Sequence, residues 1–391
     1  MKILYVVNNA FVTGNGLSAS CRRTVHYLRE AGEDVRILSA RAEGDEQPDY
    51  PLSDMKIPLF DPLIKKQGYS FAKTDDDMIR RAVSWADIVH LEEPFFLQIH
   101  TCRIAEELGV PMTATYHLHP ENLFSSVGLR KNLFFNRSTM RFWRDTVFNR
   151  CEAIQCPTEN VRERLRRWHF QPELRLISNG MIPTEAAKTA PLTREAGIYT
   201  IVTTGRYSVE KDQITLLRAM RYSKYADKIR LVFAGRGPTE KKLHRMAEKL
   251  VRRGVLKIPP VFLFSSLPEL IALYRDVADL YIHCATVEVE GLACTEAIGC
   301  GLVPIISQGR LSATAQFALS EKSVFPERRP RILAERIDYW LSDDERRRAE
   351  AKKYIGLEKQ YDIEKSIAEL ISMYRDVLAK TEKEREKTDE T

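Results

Sequence analysis

The sequence has no Cys-x-x-Cys pair, no long apolar run and little excess of either charge. Its seven cysteines are scattered and odd in number, which is typical of a reducing compartment and argues against a disulfide framework or a structural zinc site. No apolar run reaches the ~18 residues of a membrane-spanning helix, and the N-terminal segment KILYVV is too short for a secretory signal. The 60 basic and 54 acidic residues leave a net charge of only +6, which is too small to indicate a nucleic-acid partner, so the distribution of charge matters more than its total.

The length of 391 residues exceeds one ordinary core and predicts two domains. Apolar strands alternate with amphipathic helices, which indicates an α/β fold of two doubly wound, Rossmann-like domains facing across a cleft. We expect the final charged segment to be frayed, because it has almost nothing to bury. The predicted order is an N-terminal domain (1–182), a linker (183–198), a second domain (199–360), a C-terminal helix crossing back to the first domain (361–379) and a charged tail (380–391).

Candidate ligand residues in the first half follow apolar strands. Gly14, Gly16 and Ala19 formally match a dinucleotide-binding motif, but the glycines come too late after the strand for the usual tight turn. We therefore predict a glycine loop whose backbone N–H groups approach a diphosphate, with Gly16 at the helix start; an ordinary surface loop is the alternative. His117 directly follows a strand, where open α/β sheets place ligand residues, whereas His119 is interpreted as a loop residue.

Residues 127–168 have a strongly basic composition. They include ten basic and four acidic residues, a net charge equal to that of the whole chain. Cationic side chains interleaved with aromatic rings suit a lipid headgroup layer, so we predict contact with an anionic membrane surface. A solvated helix and an RNA-binding surface are the alternatives, although no RNA-binding motif supports the latter. The predicted contact residues are Arg130, Arg137, Arg141, Arg144, Arg162, Arg164, Arg166 and Arg167, with Phe134, Phe142 and Trp143.

A pair of cations follows the first predicted strand of the second half. In the segment GRYSVEKDQ, Arg206 and Lys211 are five residues apart, directly after a strand. A guanidinium and an ammonium at this spacing can hold a diphosphate and neutralise the charge that grows on it as a bond breaks. Basic surface residues at the same spacing are common, so the pair alone leaves its function open.

The letters of a D-x-D metal motif occur at Asp75 and Asp77. They belong to a charged run remote from the cationic pair, and we interpret them as a solvated helix start. We therefore expect no metal ion in the function of the protein.

The stretch Tyr281–Ile306 predicts a strand, a loop, a helix and a second strand. Glu288 lies in the loop and Glu296 about two helical turns further on. Buried carboxylates need partners, and sugar or ribose hydroxyl groups are suitable ones. The first N–H groups of the helix suit a phosphate; they belong to Gly291, Leu292 and Ala293.

Together these motifs resemble the retaining glycosyltransferases of family 4. The glutamates of the family signature are similar to Glu288 and Glu296, and its phosphate clamp is similar to Arg206 and Lys211. The resemblance covers nearly the whole chain and implies the GT-B fold and a UDP-sugar donor, without a metal ion. It also implies that Glu296 binds ribose, that Glu288 lies beside the donor sugar and that His117 touches this sugar.

Four segments, TYHLHPENLFSS, ISNG, GRYSVEKDQ and LSATAQFAL, resemble bacterial α-hexosyltransferases that act on sterol, diacylglycerol or ceramide. This resemblance implies retaining transfer of glucose or galactose from a UDP-sugar to a membrane lipid, by a cytoplasmic protein at the inner face of the cell membrane. Arg206, Lys211 and helix N–H groups would stabilise the leaving UDP. The alternatives are a soluble or polysaccharide acceptor, a UDP-sugar epimerase, a dehydrogenase and an inactive lipid-binding scaffold.

Overall fold

The chain folds into two compact units. Unit 1 comprises Met1–Gly180 and Ile363–Thr391, and unit 2 comprises Met181–Asp362. Gly14 and Arg130, both named in the sequence analysis, lie outside the described residues. The computed structural model describes residues 1–12, 16–42, 44, 46–55, 70–125, 132–182 and 186–389.

Unit 1 contains a seven-stranded parallel sheet within the described residues. Its order is β3-β2-β1-β6-β7-β8-β9, while β4 and β5 form a separate antiparallel pair. The inner strands β1, β6 and β7 are almost wholly buried, as expected when helices cover both faces of a parallel sheet. In chain order the strands are β1 (Lys2–Val6), β2 (Asp34–Ala40), β3 (Tyr50–Leu52), β4 (Asp54–Met55), β5 (Phe71–Ala72), β6 (Ile88–Leu91), β7 (Met112–Thr115), β8 (Ala153–Cys156) and β9 (Glu173–Leu176).

The helices of unit 1 begin and end at residues with recognisable local chemistry. Asp75 accepts a hydrogen bond from the N–H of Met78 at 3.0 Å and so caps α2, which confirms that the D-x-D letters mark a helix start. Gly109 ends α3 in the left-handed region. The helices preceding unit 2 are α1 (Gly16–Glu30), α2 (Asp76–Trp85), α3 (Phe96–Leu108), α4 (Pro120–Ser125), α5 (Leu133–Thr146) and α6 (Glu159–Arg167).

Unit 2 contains a six-stranded parallel sheet of order β12-β11-β10-β13-β15-β17. The short strands β14 and β16 form a separate parallel pair. The strands are β10 (Tyr199–Thr204), β11 (Ile229–Ala234), β12 (Val261–Leu263), β13 (Leu280–His283), β14 (Val287–Glu288), β15 (Val303–Gln308), β16 (Leu311–Ser312) and β17 (Val324–Pro326). The helices are α7 (Gln213–Ala219), α8 (Glu240–Arg252), α9 (Leu267–Asp276), α10 (Leu292–Gly299), α11 (Pro330–Leu341) and α12 (Asp344–Tyr354).

Both sheets are Rossmann-like and confirm the predicted α/β class. In unit 1 the chain leaves β1 toward β2 on one side, and β6 lies on the other side of β1; in unit 2, β10 has the same place between β11 and β13. Open α/β sheets bind ligands beyond the carboxyl ends of the strands at such a switch point. The sequence of β13, α10 and β15 also confirms the order expected for Tyr281–Ile306.

The segment expected to be a linker is part of unit 2 where it is described. Arg194 pairs with Asp279, which is 4% exposed, and Glu195 pairs with Arg230 at 2.7 Å. Ala190 and nearby apolar residues pack against the core of unit 2. This segment packs on unit 2 because the buried carboxylate of Asp279 needs cationic partners, and Arg194 is one of them.

The C-terminal helix α13 (Ile363–Asp389) belongs to unit 1 and continues beyond residue 379, where the sequence analysis ended it. Its first half buries apolar residues, and the hydroxyl group of Tyr374 lies 2.8 Å from that of Tyr5 on β1. Further along, Lys380 pairs with Glu152 at 2.8 Å. This ion pair gives the charged segment a partner on unit 1, which the sequence analysis did not foresee.

Candidate active site

Two loops meet at the switch point of the sheet in unit 2. One follows β10 and carries Arg206, Glu210 and Lys211, and the other follows β13 and leads to Glu288. Thr286 joins the loops, because its N–H and its hydroxyl group donate to the carbonyl oxygen of Glu210 at 2.8 and 3.0 Å. The cations from one motif and the acid from the other are therefore held at one edge of the sheet.

Arg206 is oriented by a buried carboxylate. Its Nη2 atom donates to Oε1 of Glu210 at 2.7 Å, and the Ser208 hydroxyl group donates to the same oxygen at 2.5 Å. Glu210 is only 2% exposed. Because a buried carboxylate must be neutralised or hydrogen-bonded, Glu210 restricts the guanidinium to one side of the loop.

Lys211 forms an ion pair with Glu288, which also lies 3.4 Å from Nε2 of His283. Burial alone would raise the pKa of Glu288, but Lys211 and His283 outweigh burial and lower this pKa to about 2. Burial lowers the pKa of His283 despite the adjacent Glu288. Glu288 is therefore ionised and His283 neutral near pH 7.

Helix α10 begins at a glycine that the local geometry requires. Gly291 is the N-cap with φ of +92°, and a Cβ atom added there would lie 2.5 Å from the Thr314 hydroxyl oxygen. Leu292 and Ala293 follow as the first helical residues, and their N–H groups have no acceptor inside the helix. The helix thus presents N–H donors at the end of the loop that carries Glu288, an arrangement that suits an anion.

Glu296 lies near the carboxyl end of β10. Burial raises the pKa of Tyr274 most, and the charge of Glu296 is the second cause that raises it. The Tyr274 hydroxyl group in turn lies 2.5 Å from the hydroxyl group of Thr204, the last residue of β10. Tyr281 is buried, and burial is the largest cause that raises its pKa. Tyr274 and Cys294 raise this pKa further, and so do the charges of Glu296 and Glu288, which indicates that both glutamates lie near the Tyr281 ring. Both signature acids consequently belong to one neighbourhood.

Four residues of this neighbourhood were not predicted from the sequence: Glu210, His283, Thr314 and Tyr274. Glu210 directly precedes Lys211, and its buried position next to two loops was not visible from spacing. His283 ends β13, so the rule used for His117, a histidine at a strand end, could have found it. Thr314 and Tyr274 carried no sequence signal, because they reach the site only through tertiary packing.

In unit 1, His117 follows β7 and contacts a buried acid. Its Nε2 atom lies 2.6 Å from Oε2 of Glu92, which follows β6 and is 3% exposed. Burial would raise the pKa of Glu92, but the charge of His117 and its hydrogen bond outweigh burial and lower it. His90 lies 3.6 Å from Glu92, and burial lowers the pKa of His90 to about 4. The sequence analysis selected His117 without its partner Glu92.

Gly16 and His119 differ in their surroundings. Gly16 is the first residue of α1, as expected, and an added Cβ atom there would meet nothing within 4 Å. Packing therefore gives no reason for glycine at this position, and its approach to a diphosphate stays a prediction. His119 is buried, with Nδ1 3.1 Å from the hydroxyl group of Tyr116, which indicates a structural contact.

Two residues predicted to contact a membrane do not lie on the surface. Trp143 is 2% exposed and packs edge to face on Phe95, with ring centroids 5.9 Å apart. Arg164 is 9% exposed and both carboxylate oxygens of Glu121 accept from its Nη2 atom at 2.9 Å. The prediction was wrong for these two, because the buried side of α5 needs a large apolar residue and buried Glu121 needs a cation.

Three further arginines of the same segment are at least partly exposed but have partners within unit 1. Arg144 pairs with Asp145 at 2.7 Å and donates to the carbonyl oxygen of Trp168. Arg162 pairs with Glu159 at 2.5 Å, and Arg166 lies 3.8 Å from the same acid. These contacts reduce the charge that the segment offers to a partner.

The outward face of α5 still combines aromatic and basic residues. Phe134 is 72% and Phe142 49% exposed, and Arg137 and Arg141 are exposed between them. Arg137, Arg141 and Phe142 follow Phe134 by three, seven and eight residues, which places all four on one side of the helix. This face keeps the character that the sequence analysis predicted, although Arg130 cannot be assigned to it.

Among the described helices, none has the length and apolar character needed to cross a bilayer. Within the same residues, no three His, Cys, Asp or Glu side chains are arranged to hold a metal ion.

Two family models match the chain along consecutive segments. Residues 14–185 match the model described as Glycosyltransferase Family 4, and residues 187–355 match the model described as Glycosyl transferases group 1. The two matches include every strand of the two sheets except β1, together with the loops described above.

Known proteins resemble the chain at several levels. Alpha-monoglucosyldiacylglycerol synthase of Streptococcus pneumoniae (strain ATCC BAA-255 / R6) is 29% identical over 325 residues, which cover 79% of this chain and 71% of the relative. The catalytic domain of cholesterol-alpha-glucosyltransferase from Helicobacter pylori is 38% identical, covers 42% of this chain and 99% of its own, and has a TM-score of 0.37. Anabaena Alr3699/HepE, solved with UDP and glucose, is 14% identical with a TM-score of 0.71, over 96% of this chain and 100% of its own; the likeness shows a shared fold.

Proposed function

Because the chain belongs to family 4 of the GT-B glycosyltransferases, we propose that it transfers a hexose from a UDP-sugar to the hydroxyl group of a membrane lipid, with retention of the anomeric configuration. The observation that carries this proposal is the site at the switch point of unit 2. There Arg206 and Lys211 accompany an ionised Glu288 and the first N–H groups of α10. Such a site is suited to a diphosphate joined to a sugar.

In this proposal the cations bind the diphosphate of the donor. Glu210 orients Arg206, and the ammonium of Lys211 lies between the acid Glu288 and the incoming phosphate. Leu292 and Ala293 donate backbone N–H groups to the same anion. Glu296 binds the ribose hydroxyl groups from inside α10, and Glu288 lies beside the hexose.

The reaction breaks the bond between the anomeric carbon and the phosphate oxygen and forms a bond from this carbon to the lipid oxygen. The lipid hydroxyl proton passes to the leaving phosphate on the same face of the sugar, so the configuration is retained. Negative charge grows on UDP as the bond breaks, and Arg206 and Lys211 stabilise it more strongly in the transition state than in the ground state. No metal ion is needed for this role.

His117 is proposed to contact the donor sugar from unit 1. With its Nε2 atom against ionised Glu92, the ring is held in one orientation, and Nδ1 is directed away from that carboxylate. A sugar hydroxyl group could then hydrogen-bond to Nδ1. Gly16 would bring the N-terminus of α1 to the diphosphate.

The lipid acceptor is supported by the relative from Streptococcus pneumoniae, whose name describes synthesis on diacylglycerol. The outward face of α5 supports the same proposal, because Phe134 and Phe142 can enter the headgroup boundary while Arg137 and Arg141 meet anionic lipid. We therefore place the protein at the cytoplasmic face of the cell membrane, bound from the surface.

The test is incubation of the protein with individual UDP-sugars and a total lipid extract, followed by mass spectrometry of the lipids. The expected result is a lipid that gains one hexose with one of the UDP-hexoses, and the anomeric coupling of the product by NMR should be that of an α-linkage. The Arg206→Ala/Lys211→Ala variant is the negative control. Interconversion of UDP-hexoses without an acceptor would instead indicate an epimerase, and hexosylation of soluble acceptors alone would exclude the lipid.

A further inference from the structure

Residues 218–257 of unit 2 carry more net positive charge than the entire chain. They include thirteen basic and three acidic residues, a net charge of +10, against +6 for all 391 residues. This segment comprises the end of α7, strand β11 and all of α8. It has no role in the donor site described above.

Most of these cations are exposed, on two helices that contact each other or in the segments that follow them. Arg218 lies on α7 and five cations lie on α8, and Arg230 is the one basic residue of the segment that is buried in the described structure. Along α8, the exposed positions recur at intervals of three and four residues, which defines one face of the helix. The exposed basic residues on these helices and in the segments that follow them, here called the basic face, are Arg218, Arg221, Lys224, Lys228, Lys241, Lys242, Arg245, Lys249, Arg252, Arg253 and Lys257.

These side chains have few acidic partners. Of the basic face, only Lys257 forms an ion pair within the described residues, at 3.3 Å from Asp227. By contrast, Arg144, Arg162 and Arg164 of the segment chosen from the sequence all pair with acids of unit 1. The largest concentration of uncompensated positive charge in the described structure is therefore on unit 2.

An anionic lipid surface is the partner that fits this face best. Lys and Arg residues near such a surface each favour adsorption, and their effects accumulate over a wide layer. The exposed face of α8 has no aromatic side chain, and the exposed ring of Tyr222, next to Arg221, already lies under the guanidinium of Arg331. The basic face therefore offers no row of rings on which single-stranded nucleic acid could stack. A lipid occupant also follows from the proposed function, on which this part of the argument rests.

We propose that the basic face of α7 and α8 binds anionic lipid headgroups, so that the donor-binding unit has its own electrostatic contact with the membrane. This contact differs in kind from that of α5. The basic face adsorbs through charge alone and is sensitive to salt, whereas Phe134 and Phe142 insert apolar surface and resist salt.

The test is sedimentation of the full chain with phosphatidylcholine vesicles that contain or lack phosphatidylglycerol, over a series of salt concentrations. The variant is Arg245→Gln/Lys249→Gln, which removes two exposed charges one turn apart on α8. Its affinity for anionic vesicles should fall roughly 10- to 30-fold at low salt. The matched control is Arg348→Gln/Lys352→Gln, which removes two exposed charges at the same spacing from α12 of the same unit and should change the affinity by less than about 3-fold.

An equal loss of vesicle affinity in the two variants would mean that only the net charge matters, and it would overturn the proposal. Wild-type binding that does not depend on the phosphatidylglycerol content of the vesicles would overturn it as well. Tighter binding to a single-stranded RNA than to anionic vesicles would also overturn it by assigning the face to nucleic acid. Hexosyl transfer to acceptor lipid in neutral detergent micelles is measured alongside. The inference is supported if the Arg245→Gln/Lys249→Gln variant transfers hexose in micelles as the wild type does but no longer sediments with anionic vesicles. If neither the wild type nor any variant transfers hexose in micelles, this result contradicts the proposed function and not the lipid contact.

Discussion

At the scale of single residues, the proposed donor site couples each cation to an acid. Arg206 is held by Glu210, and Lys211 by Glu288. Such pairs hold the cations in position before a substrate binds. A diphosphate that binds there must then compete with the carboxylates for the same cations. The proposed chemistry of the site therefore depends on four residues, of which the sequence motifs included all but Glu210.

The first prediction concerns these cations. Arg206→Ala or Lys211→Ala should each lower turnover roughly 100-fold, since each removes a contact that strengthens as UDP leaves. Steady-state kinetics with the preferred UDP-hexose measures this loss. Arg348→Ala, an exposed arginine on α12 of the same unit, should stay within about 2-fold of wild type. Activity of either site variant close to that of the control would remove the residue from the proposed mechanism.

The second prediction is a dependence of stability on acid pH. Lys211 and His283 lower the pKa of Glu288 to about 2 in the folded protein, from an ordinary value of 4.5. A lowered pKa contributes stability that is present above pH 4.5 and is lost as the pH falls toward 2. Lys211→Met should therefore destabilise unit 2 at pH 7, and its difference from wild type should shrink across that window.

Urea unfolding of both proteins at several pH values measures this difference. Glu288→Gln is the control, because it has no carboxylate to titrate, and Lys211→Met in this background should show no added pH dependence. A difference between wild type and Lys211→Met that is constant from pH 7 to 2 would contradict the assignment of the pair.

At the scale of elements, the start of α10 illustrates a position that backbone geometry decides. Gly291 combines a positive φ with a close approach to Thr314. Either feature alone disfavours a side chain, and together they fix the path by which the loop after β13 enters the helix. The N–H groups proposed to bind phosphate depend on this path.

The third prediction tests that dependence. Gly291→Ala should destabilise the protein by the ~1 kcal/mol typical of a positive φ plus about 1–3 kcal/mol for the clash with Thr314, and should weaken UDP binding. Gly254→Ala is the matched control, because Gly254 has φ of +67° and nothing within 4 Å of an added Cβ. Thermal unfolding and UDP titration compare the two; equal effects would mean that the contact with Thr314 has no consequence.

The fourth prediction separates the two sides of α5. Phe134→Ser/Phe142→Ser should weaken vesicle binding roughly 10-fold in high salt, because it removes exposed apolar surface, without lowering the unfolding temperature. Trp143→Ala should have the opposite pattern: it should lower the free energy of unfolding by about 3–5 kcal/mol, since Trp143 is buried. Vesicle sedimentation and thermal unfolding measure both. Undiminished binding by the phenylalanine variant would mean that α5 does not reach lipid.

At the scale of the whole molecule, positive charge is concentrated in two segments. Residues 127–168 carry +6 and residues 218–257 carry +10, so the rest of the chain is net negative. A small total charge thus conceals two strongly basic regions, one in each unit. Total charge is a poor guide to partners when the charges are segregated in this way.

The fifth prediction concerns α13, which returns the chain to unit 1. Deleting residues 363–391 would expose the apolar surface of unit 1 that this helix covers and leave Tyr5 without its contact to Tyr374, so unit 1 should fail to fold. Deleting only residues 382–391 should cost less than about 1 kcal/mol, because that end is largely exposed. Unit 2 has its own sheet and core, so UDP binding should survive both deletions, while transfer survives only the shorter one. Loss of UDP binding in the longer deletion would contradict the independence of unit 2.

Much of the molecule follows from the sequence alone. The alternation of apolar strands and helices is a local property of the chain, so it predicted both Rossmann-like sheets and the order of elements in Tyr281–Ile306. Arg206, Lys211 and Glu288 were found because ligand residues of open α/β sheets follow their strands directly. The mixture of basic and aromatic residues in α5 was also visible in the sequence.

Tertiary structure decided which side chains have partners. Spacing cannot show that Trp143 and Arg164 are buried, because burial depends on elements distant in sequence: Phe95 covers the tryptophan and Glu121 neutralises the arginine. Glu92 reaches His117, and Glu210 reaches Arg206, for the same reason. The tertiary structure was also needed to identify the basic face of unit 2. A cation attracts an anionic partner only where no acid of the fold neutralises it, and the sequence does not show which cations have such acids beside them.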